Sequence, residues 1–400
     1  MRILQLAPRF PFPLIDGGAI GIFKPTEAIA QLGHEITFVT FPDTDRQVTN
    51  AGLEQLRSFA RVELVSKPLP SRNATLLRTM FKGAYPIERR IIPEMYVLLD
   101  RLLQESKFDI VHIDACHMGK YGMWIKEKYG LPIVLRQHNF ETQIYRRFAA
   151  TTSNPIAKFV ASIHAKRMLV EETKIIAWHD RVIAISTEDE AEMARYVPNA
   201  NYRVIPAGVD TDYFSPEHIE NKGNSVLWVG GMDWEPNRDA VTFFAKDILP
   251  FVVEKYPDIV FDIVGSGTEG LLRIEAESGG RIRLHGRVPD IRPYLAAASV
   301  MVCPLRVGGG MRLKLLDFFA AGKAVVSTHI GAEGNLGIDN EHILLRDEPK
   351  AFASAVVKLL DDRDFAQQIG RNARMLAEKE YSWQRIARDF VGVYDELLGR

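Results

Sequence analysis

From Pro304 to Gly322 the sequence reads PLRVGGGMRLKLLDFFAAG, a run whose residue types suit phosphate binding. Three successive glycines, Gly308, Gly309 and Gly310, lead into an apolar helical pattern. Two cations, Arg312 and Lys314, fall in its first turn, and one acid, Asp317, follows. A helix N-terminus presents N–H groups without intrahelical partners and the positive end of the helix dipole, and both attract phosphate oxygens. Glycine lets the backbone approach a ligand where a Cβ would intrude. Arg312 and Lys314 add cationic donors against a diphosphate, while Asp317 accepts hydrogen bonds from neutral hydroxyls such as those of a ribose. The bland alternative is a flexible loop ahead of a surface helix, for which this combination is unusual.

Such a loop needs a scaffold that holds it at a strand end. Short apolar runs alternate with helix-length segments along the whole chain. The first strand candidates are Arg2–Ala7, Glu35–Phe41, Val62–Ser66, Ile110–Asp114, Ile133–Gln137 and Arg181–Ser186. A second series is Tyr202–Ile205, Ser225–Val229, Val260–Val264, Ile282–His285, Val300–Pro304 and Ala324–Thr328. Their near-continuous apolar character predicts strands buried on both faces of parallel sheets. The alternation predicts two doubly wound α/β domains, with the break at the polar, turn-rich segment after Ile205. The expected domains are 1–205, completed by a helix over 380–400, and 206–379. The apolar stripe Trp383, Ile386, Phe390, Val393 and Leu397 would dock that helix on the first domain. Ligands of open α/β sheets bind beyond the carboxyl ends of the strands. Two such domains face to face would leave a cleft with the glycine loop on one wall.

Length and composition set the frame. The 400 residues are too many for one core and predict two domains. With 46% hydrophobic and 25% charged residues the chain reads as an ordinary globular protein. The net charge of −1 argues against a nucleic-acid binder. It hides an asymmetry, +4 over residues 1–200 and −5 over the rest, a weak signal for anionic acceptors or lipid headgroups on the first half. Cys116 and Cys303 each end an apolar run and read as reduced core residues of a cytosolic protein. The N-terminus reads as a buried strand rather than a signal peptide, and no window is long and apolar enough to span a membrane.

At this point the residues resemble a known family. PRFPFPLIDGG is similar to the N-terminal glycine loop of the retaining, GT-B-fold glycosyltransferases of family 4, and LGHEITFVTF to their second strand. RVIPAGVDTDYFSP resembles their interdomain signature. VLWVGGMDWEPNRDAV, FDIVGSG, GRVPDIRPYLAAASV and KLLDFFAAGKAVVSTHIGAEG resemble their nucleotide-binding half in order and spacing, and YSWQRIARDFVGVYDELL their returning C-terminal helix. The resemblance covers nearly the whole chain. It implies a GT-B fold and transfer of a sugar from a nucleotide diphosphate sugar to the hydroxyl of a glycan, lipid-linked or small-molecule acceptor, with retention and without metal or other cofactor. It places Gly17, Gly18, Val288, Gly308, Gly309, Gly310 and Asp317 on the donor, and His138, Arg312 and Lys314 at the reacting centre. His138, in IVLRQHNFE, would lie near the donor sugar; as a structural residue it would cap a neighbouring carbonyl. Gly17 and Gly18 need φ freedom or a close approach in either reading. The family pattern also departs here. Its two helix glutamates are Gly309 and Asp317 in this chain, and its arginine after the first C-domain strand is Met232. A subgroup shares the GGG-x-R-x-K arrangement. An epimerase or hydrolase of nucleotide sugars, and a catalytically weak nucleotide-binding homologue, are the competing readings.

Other signals divide. Gly265-Ser-Gly267-Thr-Glu-Gly270 matches a dinucleotide fingerprint, but its strand is not the first of its domain. Asp43/Asp45 and Asp210/Asp212 look like metal-binding acid pairs, yet both sit in polar turns where aspartate bonds local backbone. No metal is therefore assigned. His112, inside IVHID, reads as a core histidine, and Asn237 either caps the helix that follows or serves the site. Two basic, apolar stretches, 72–101 and 146–174, suit either peripheral contact with the inner face of a membrane or ordinary inward-packing helices. The location expected is cytoplasmic, with or without that contact.

Overall fold

The computed structural model describes residues 1–14, 16–42, 48–67, 69–71, 75, 79, 83–152, 154–216, 224–308 and 310–400. The chain forms two compact units, Met1–Ala207 with Trp383–Arg400, and Gly208–Ser382.

The first unit is built on a parallel sheet of β1 (Arg2–Leu6), β2 (Glu35–Thr40), β3 (Arg61–Leu64), β4 (Ile110–Asp114), β5 (Ile133–Arg136), β6 (Arg181–Ala184) and β7 (Tyr202–Val204). Their order is β3-β2-β1-β4-β5-β6-β7. Leu4 of β1 lies opposite Thr37 on one side and Val111 on the other. Strands β4, β5 and β6 are buried at every position, as expected for a sheet covered on both faces. Burial on both faces fails at the edges: β3 and β7 are half-exposed, because no strand covers their outer side. Tyr202–Val204 pairs with β6 and so closes this sheet rather than opening the second series.

One face carries a core of Ile3, Phe23, Phe38, Ile386, Phe390 and Tyr394, and the other a core of Met95, Leu99, Tyr121, Ile125, Met168 and Ile175. The first core is sealed by the helix Trp383–Leu398, whose residues Trp383, Ile386, Phe390 and Val393 are buried. Each such side chain contributes about 1.5–3 kcal/mol over its exposed state, so burial of the stripe fixes the helix in place. The order of strands reverses between β1 and β4, and in open sheets that reversal makes a crevice at the carboxyl ends.

The second unit has a parallel sheet of β8 (Ser225–Val229), β9 (Val260–Val264), β10 (Ile282–Gly286), β11 (Val300–Cys303), β12 (Val325–Ser327) and β13 (Leu344–Leu345). The order is β10-β9-β8-β11-β12-β13, with the reversal between β8 and β11. The two-residue β13 has too short an apolar run to show in the sequence. The unit boundaries fall at 207/208 and 382/383 rather than at 205/206 and 379/380. The Val209 N–H donates to the Tyr381 carbonyl at 2.7 Å and Val209 bridges Ser382, which binds both ends of the segment into the second unit.

Candidate active site

In the second unit the loop after β11 leads into the helix Leu313–Ala320. Arg312 is the residue before that helix rather than a member of its first turn, with extended φ −91° and ψ 95°. Gly308 and Gly310 hold φ of 146° and 74°, conformations that disfavour other residues. A Cβ on Gly308 would lie 2.5 Å from Arg312 Nη2, so this glycine makes room for the guanidinium. Gly309 lies outside the described residues. Arg312 is only 6% exposed; its Nη1 donates to the Gly310 carbonyl at 2.9 Å and its Cζ lies 5.9 Å from the Trp234 ring centroid.

Lys314 projects onto the turn after β8. Its Nζ is 3.6 Å from the Trp228 ring centroid and 3.4 Å from Asn237 Oδ1. A Cβ on Gly230 would come within 2.6 Å of that ammonium. No carboxylate among the described residues forms an ion pair with Lys314. Burial pulls its pKa down to about 8, with the Arg312 charge acting in the same direction and Cys303 and Asp317 opposing. Asp317, one turn on, is pushed up to about 8 by burial, and Lys314 opposes the shift. Its carboxylate accepts no hydrogen bond from the described residues. A cation held against aromatic faces without a counterion, beside an acceptor without donors, is complementary to an anion that carries hydroxyls.

Asn237 does not cap its helix: the cap is Trp234, and the Asn237 amide donates to the Gly231 carbonyl at 2.6 Å. The side chain thus ties the turn after β8 to Lys314. The fingerprint glycines serve the same turn. A Cβ on Gly265 would fall 2.0 Å from the Gly230 carbonyl oxygen, and one on Gly267 would fall 2.7 Å from Asp233 Oδ1. They are small because two loops cross there. Val288 is half-buried in the turn after β10, and no hydrogen bond joins it to the 308–317 group among the described residues. Asp210 accepts the Tyr213 N–H at 2.9 Å, the local turn bond expected of it, while Asp43 and Asp45 lie outside the described residues.

In the first unit His138 follows β5, and its Nε2 lies 3.4 Å from Asp114 Oδ1 at the end of β4. Asp114 is fully buried. It accepts the Gln5 amide at 2.6 Å, sits 3.3 Å from His112 Nε2 and has Arg136 Nη1 at 4.0 Å. Burial alone would raise its pKa; the neighbouring His112 and His138 overcome that and hold it well below the usual carboxylate range. His112 passes its other nitrogen to the Tyr394 hydroxyl at 2.6 Å, so the core reading of this histidine stands, with a polar purpose. Arg136 donates to the Gly21 carbonyl and stacks 5.1 Å from the Phe390 ring. Burial lowers the His138 pKa, while Asp114 pulls the other way.

Gly17 and Gly18 open the helix Gly17–Gln31, capped by Asp16 through the Ala19 N–H at 2.9 Å. Neither has positive φ. Close approach is what Gly18 supplies: a Cβ there would meet Arg9 Nη2 at 2.3 Å, and Arg9 pairs with Asp16. A third glycine, Gly21, lies against His138, with its built Cβ 3.5 Å from Nδ1. Sequence reasoning passed over Asp114, Arg136, Trp228 and Trp234. An acid ending a buried strand was the available signal for Asp114; the tryptophans gave none.

Two family models account for most of the chain. Residues 15–213 match Glycosyltransferase Family 4, and residues 223–362 match Glycosyl transferases group 1. The chain belongs to the family 4 glycosyltransferases. A relative of this glycosyltransferase is a phosphatidyl-myo-inositol mannosyltransferase of Mycolicibacterium smegmatis, 25% identical over 100% of this chain and 95% of that protein. Another is a D-inositol 3-phosphate glycosyltransferase of Salinispora tropica, 24% identical over 73% of this chain and 64% of that one. Among solved structures, sucrose-phosphate synthase of Thermosynechococcus elongatus superposes with a TM-score of 0.74 at 18% identity, covering 100% of this chain and 99% of that one. HepE of Anabaena, solved with UDP, gives 0.72 at 14%, covering 99% and 100%. At such identities the structures show the fold, which is GT-B. Among the described residues no helix is long and apolar enough to cross a membrane.

Proposed function

We propose that this glycosyltransferase moves a sugar from a nucleoside-diphosphate sugar, bound by the second unit, to an acceptor hydroxyl held by the first, with retention and without a metal or other cofactor. The observation that carries this reading is the pairing of Arg312 and Lys314 on aromatic faces beside the uncommitted Asp317 carboxylate. The bond from the anomeric carbon to the diphosphate oxygen breaks and its electron pair stays on the diphosphate. The acceptor oxygen bonds to the anomeric carbon on the same face, and its proton passes to the leaving phosphate. Arg312 and Lys314 stabilise the charge that develops there. Asp317 accepts the ribose hydroxyls, while Gly308, Gly309 and Gly310 let the loop backbone approach the phosphates and Gly17, Gly18 and Val288 flank the donor. His138 faces the reacting carbon as a neutral imidazole oriented by Asp114.

Calorimetry with nucleoside diphosphates tests this. Arg312→Ala or Lys314→Ala loses roughly 1.5–3 kcal/mol of binding, the range for hydrogen bonds to charged groups. Asp317→Asn loses the preference for a nucleoside diphosphate over its 2′,3′-dideoxy form. Unchanged affinity in the Arg312/Lys314 double variant would sink the assignment, and loss of turnover in a chelator, restored by a divalent ion, would sink metal independence.

The acceptor side suits a lipid surface. On the helix Pro155–Trp178, Phe159, Val160 and Val170 are exposed, Phe159 to 67%, among the exposed Lys158, Lys166 and Lys174, while Met168 and Ile175 pack inward. Exposed apolar groups interleaved with lysines fit the interface of an anionic bilayer. In the other basic stretch, Arg72, Arg78 and Lys82 lie outside the described residues. Flotation with anionic vesicles, abolished by Phe159→Asp, is the expected result; flotation that persists in that variant refutes the contact.

A further inference from the structure

Within the first unit a cavity of about 440 Å³ is lined by Tyr85, Arg89, Arg90, His117, Glu141 and Tyr145. These come from the turn and helix around Tyr85–Glu88, from the segment after β4 and from the helix Glu141–Thr151 after β5. Both arginines are braced. Arg90 donates from Nε to the Pro8 carbonyl at 3.0 Å and from Nη1 to the Pro86 carbonyl at 2.9 Å. Arg89 donates from Nε to the Pro70 carbonyl at 3.3 Å. Bracing fixes the guanidinium planes on the cavity wall before any ligand arrives, which lowers the ordering cost of binding. His117 Nδ1 is buried and has no hydrogen-bond partner among the described residues.

We propose that this cavity receives a phosphoryl group carried on the acceptor polyol, whether that polyol is free or the headgroup of a lipid. The proposal rests on the reading of the first unit as the acceptor side. The wall offers two guanidinium groups, an imidazole and two phenol hydroxyls, far more donors than acceptors, and a phosphoryl group is the common ligand that brings three acceptor oxygens to one point. The volume exceeds what a bare phosphate fills and lies in the range of small-ligand sites, leaving room for the polyol. The one acid, Glu141, faces Glu172, Arg90, His117 and Tyr145. Burial and the Glu172 charge push its pKa up to about 7, with Arg90 opposing. In its protonated form it is a further donor to a phosphoryl oxygen. His117 is held neutral by burial, by Arg90 and by His138. His117 follows β4, and Glu141 follows the neighbouring β5 three residues beyond His138, so the cavity and the imidazole assigned to the reacting carbon share the same strand ends.

The test uses the full chain and follows thermal unfolding with inorganic phosphate, glycerol 3-phosphate or glycerol. All three are repeated in the Arg312→Ala/Lys314→Ala background, which removes the proposed donor-phosphate site. Inorganic phosphate and glycerol 3-phosphate are expected to protect both forms, and glycerol neither. Arg89→Gln weakens the protection by roughly tenfold and Tyr145→Phe, which keeps the ring, by a few fold; nucleoside diphosphate affinity stays unchanged in both variants. A parallel arm measures binding to phosphatidylcholine vesicles with and without phosphatidic acid. Protection by glycerol 3-phosphate marks a soluble polyol phosphate, and Arg89-dependent binding to phosphatidic acid vesicles alone marks a headgroup. Protection that vanishes with Arg312 and Lys314 but survives Arg89→Gln and Tyr145→Phe overturns the proposal, as does the absence of both signals. Because nucleotide binding is read separately, loss of the donor reading and loss of this cavity's role give different results.

Discussion

The two strand-end clusters of this glycosyltransferase solve opposite problems. Around Asp114 the first unit gathers Gln5, His112, Arg136 and His138 on one buried carboxylate, and Tyr394 closes the chain from the C-terminal helix. The carboxylate is surrounded by donors and cations of the protein itself, although Arg136 Nε and His138 Nε2 make no hydrogen bond among the described residues. Around Lys314 the second unit gathers a cation, two indoles and the buried Arg312, with Asp317 left without donors. The first arrangement orients a side chain; the second is complementary to something the protein does not supply. A buried polar group costs folding energy unless it is paired, so under the proposed function the ligand supplies the counterion that Lys314 lacks among the described residues and the donors that Asp317 lacks there.

The sharpest way to break this comparison is to remove the hub. Asp114→Ala leaves Arg136 and two imidazoles facing an emptied site and should cost about 3–5 kcal/mol of stability by denaturant unfolding, as for a buried ion pair that loses one member. Arg312→Ala should cost under about 1 kcal/mol in the same assay, the scale of the hydrogen bond from Nη1 to the Gly310 backbone carbonyl that it removes. Equal losses would erase the distinction. Next in size, His138→Ala should lower kcat roughly 10- to 100-fold, on the scale of one hydrogen bond to a charged group, with nucleoside diphosphate affinity intact. A variant with normal turnover returns His138 to a structural role.

The smallest effect sharpens the ligand side. Free Lys314 loses its proton near pH 8, and a bound diphosphate favours the protonated form and raises that value. The complex therefore holds a proton that the free protein has released, so affinity falls as pH rises above about 8. The slope is at most about tenfold per pH unit for one proton. Arg312 stays charged through this range, while Asp317, which also titrates near 8, is separated by repeating the series in Asp317→Asn. Lys314→Met should flatten the curve, and a slope that survives it assigns the pH dependence elsewhere.

Both sheets were legible in the sequence because parallel strands buried on two faces leave unbroken apolar runs, as at Val300–Cys303 and Ile110–Asp114. Leu344–Leu345 was missed because two residues leave too short an apolar run to stand out. The cations of the glycine loop were legible from type and spacing. Their indole beds were not: Trp228 lies in β8 and Trp234 beyond its end, more than seventy residues from Lys314 in sequence, and only the fold brings them together. Asp114 was hidden for the same reason. Its partners Gln5, in β1, and Arg136 and His138, at the end of β5, lie far from it in sequence, and no local pattern connects them. The G-x-G-x-x-G match, set aside because its strand is not the first of its domain, falls where two loops cross, and such a crossing makes the same demand as close approach to a phosphate, the absence of a side chain.

The helix Trp383–Leu398 belongs to the first unit yet follows the whole second unit in the chain. During translation the β-sheet face bearing Ile3, Phe23 and Phe38 is made first, and its cover emerges only after the whole second unit has left the ribosome. The nascent first unit therefore carries an open apolar face while residues 208–382 are made, and Tyr394 reaches His112 only after them. Completion of the polar network around Asp114 is thus coupled to synthesis of the second unit, so that a chain broken off before residue 383 has every strand of its first sheet and still lacks the helix that covers it.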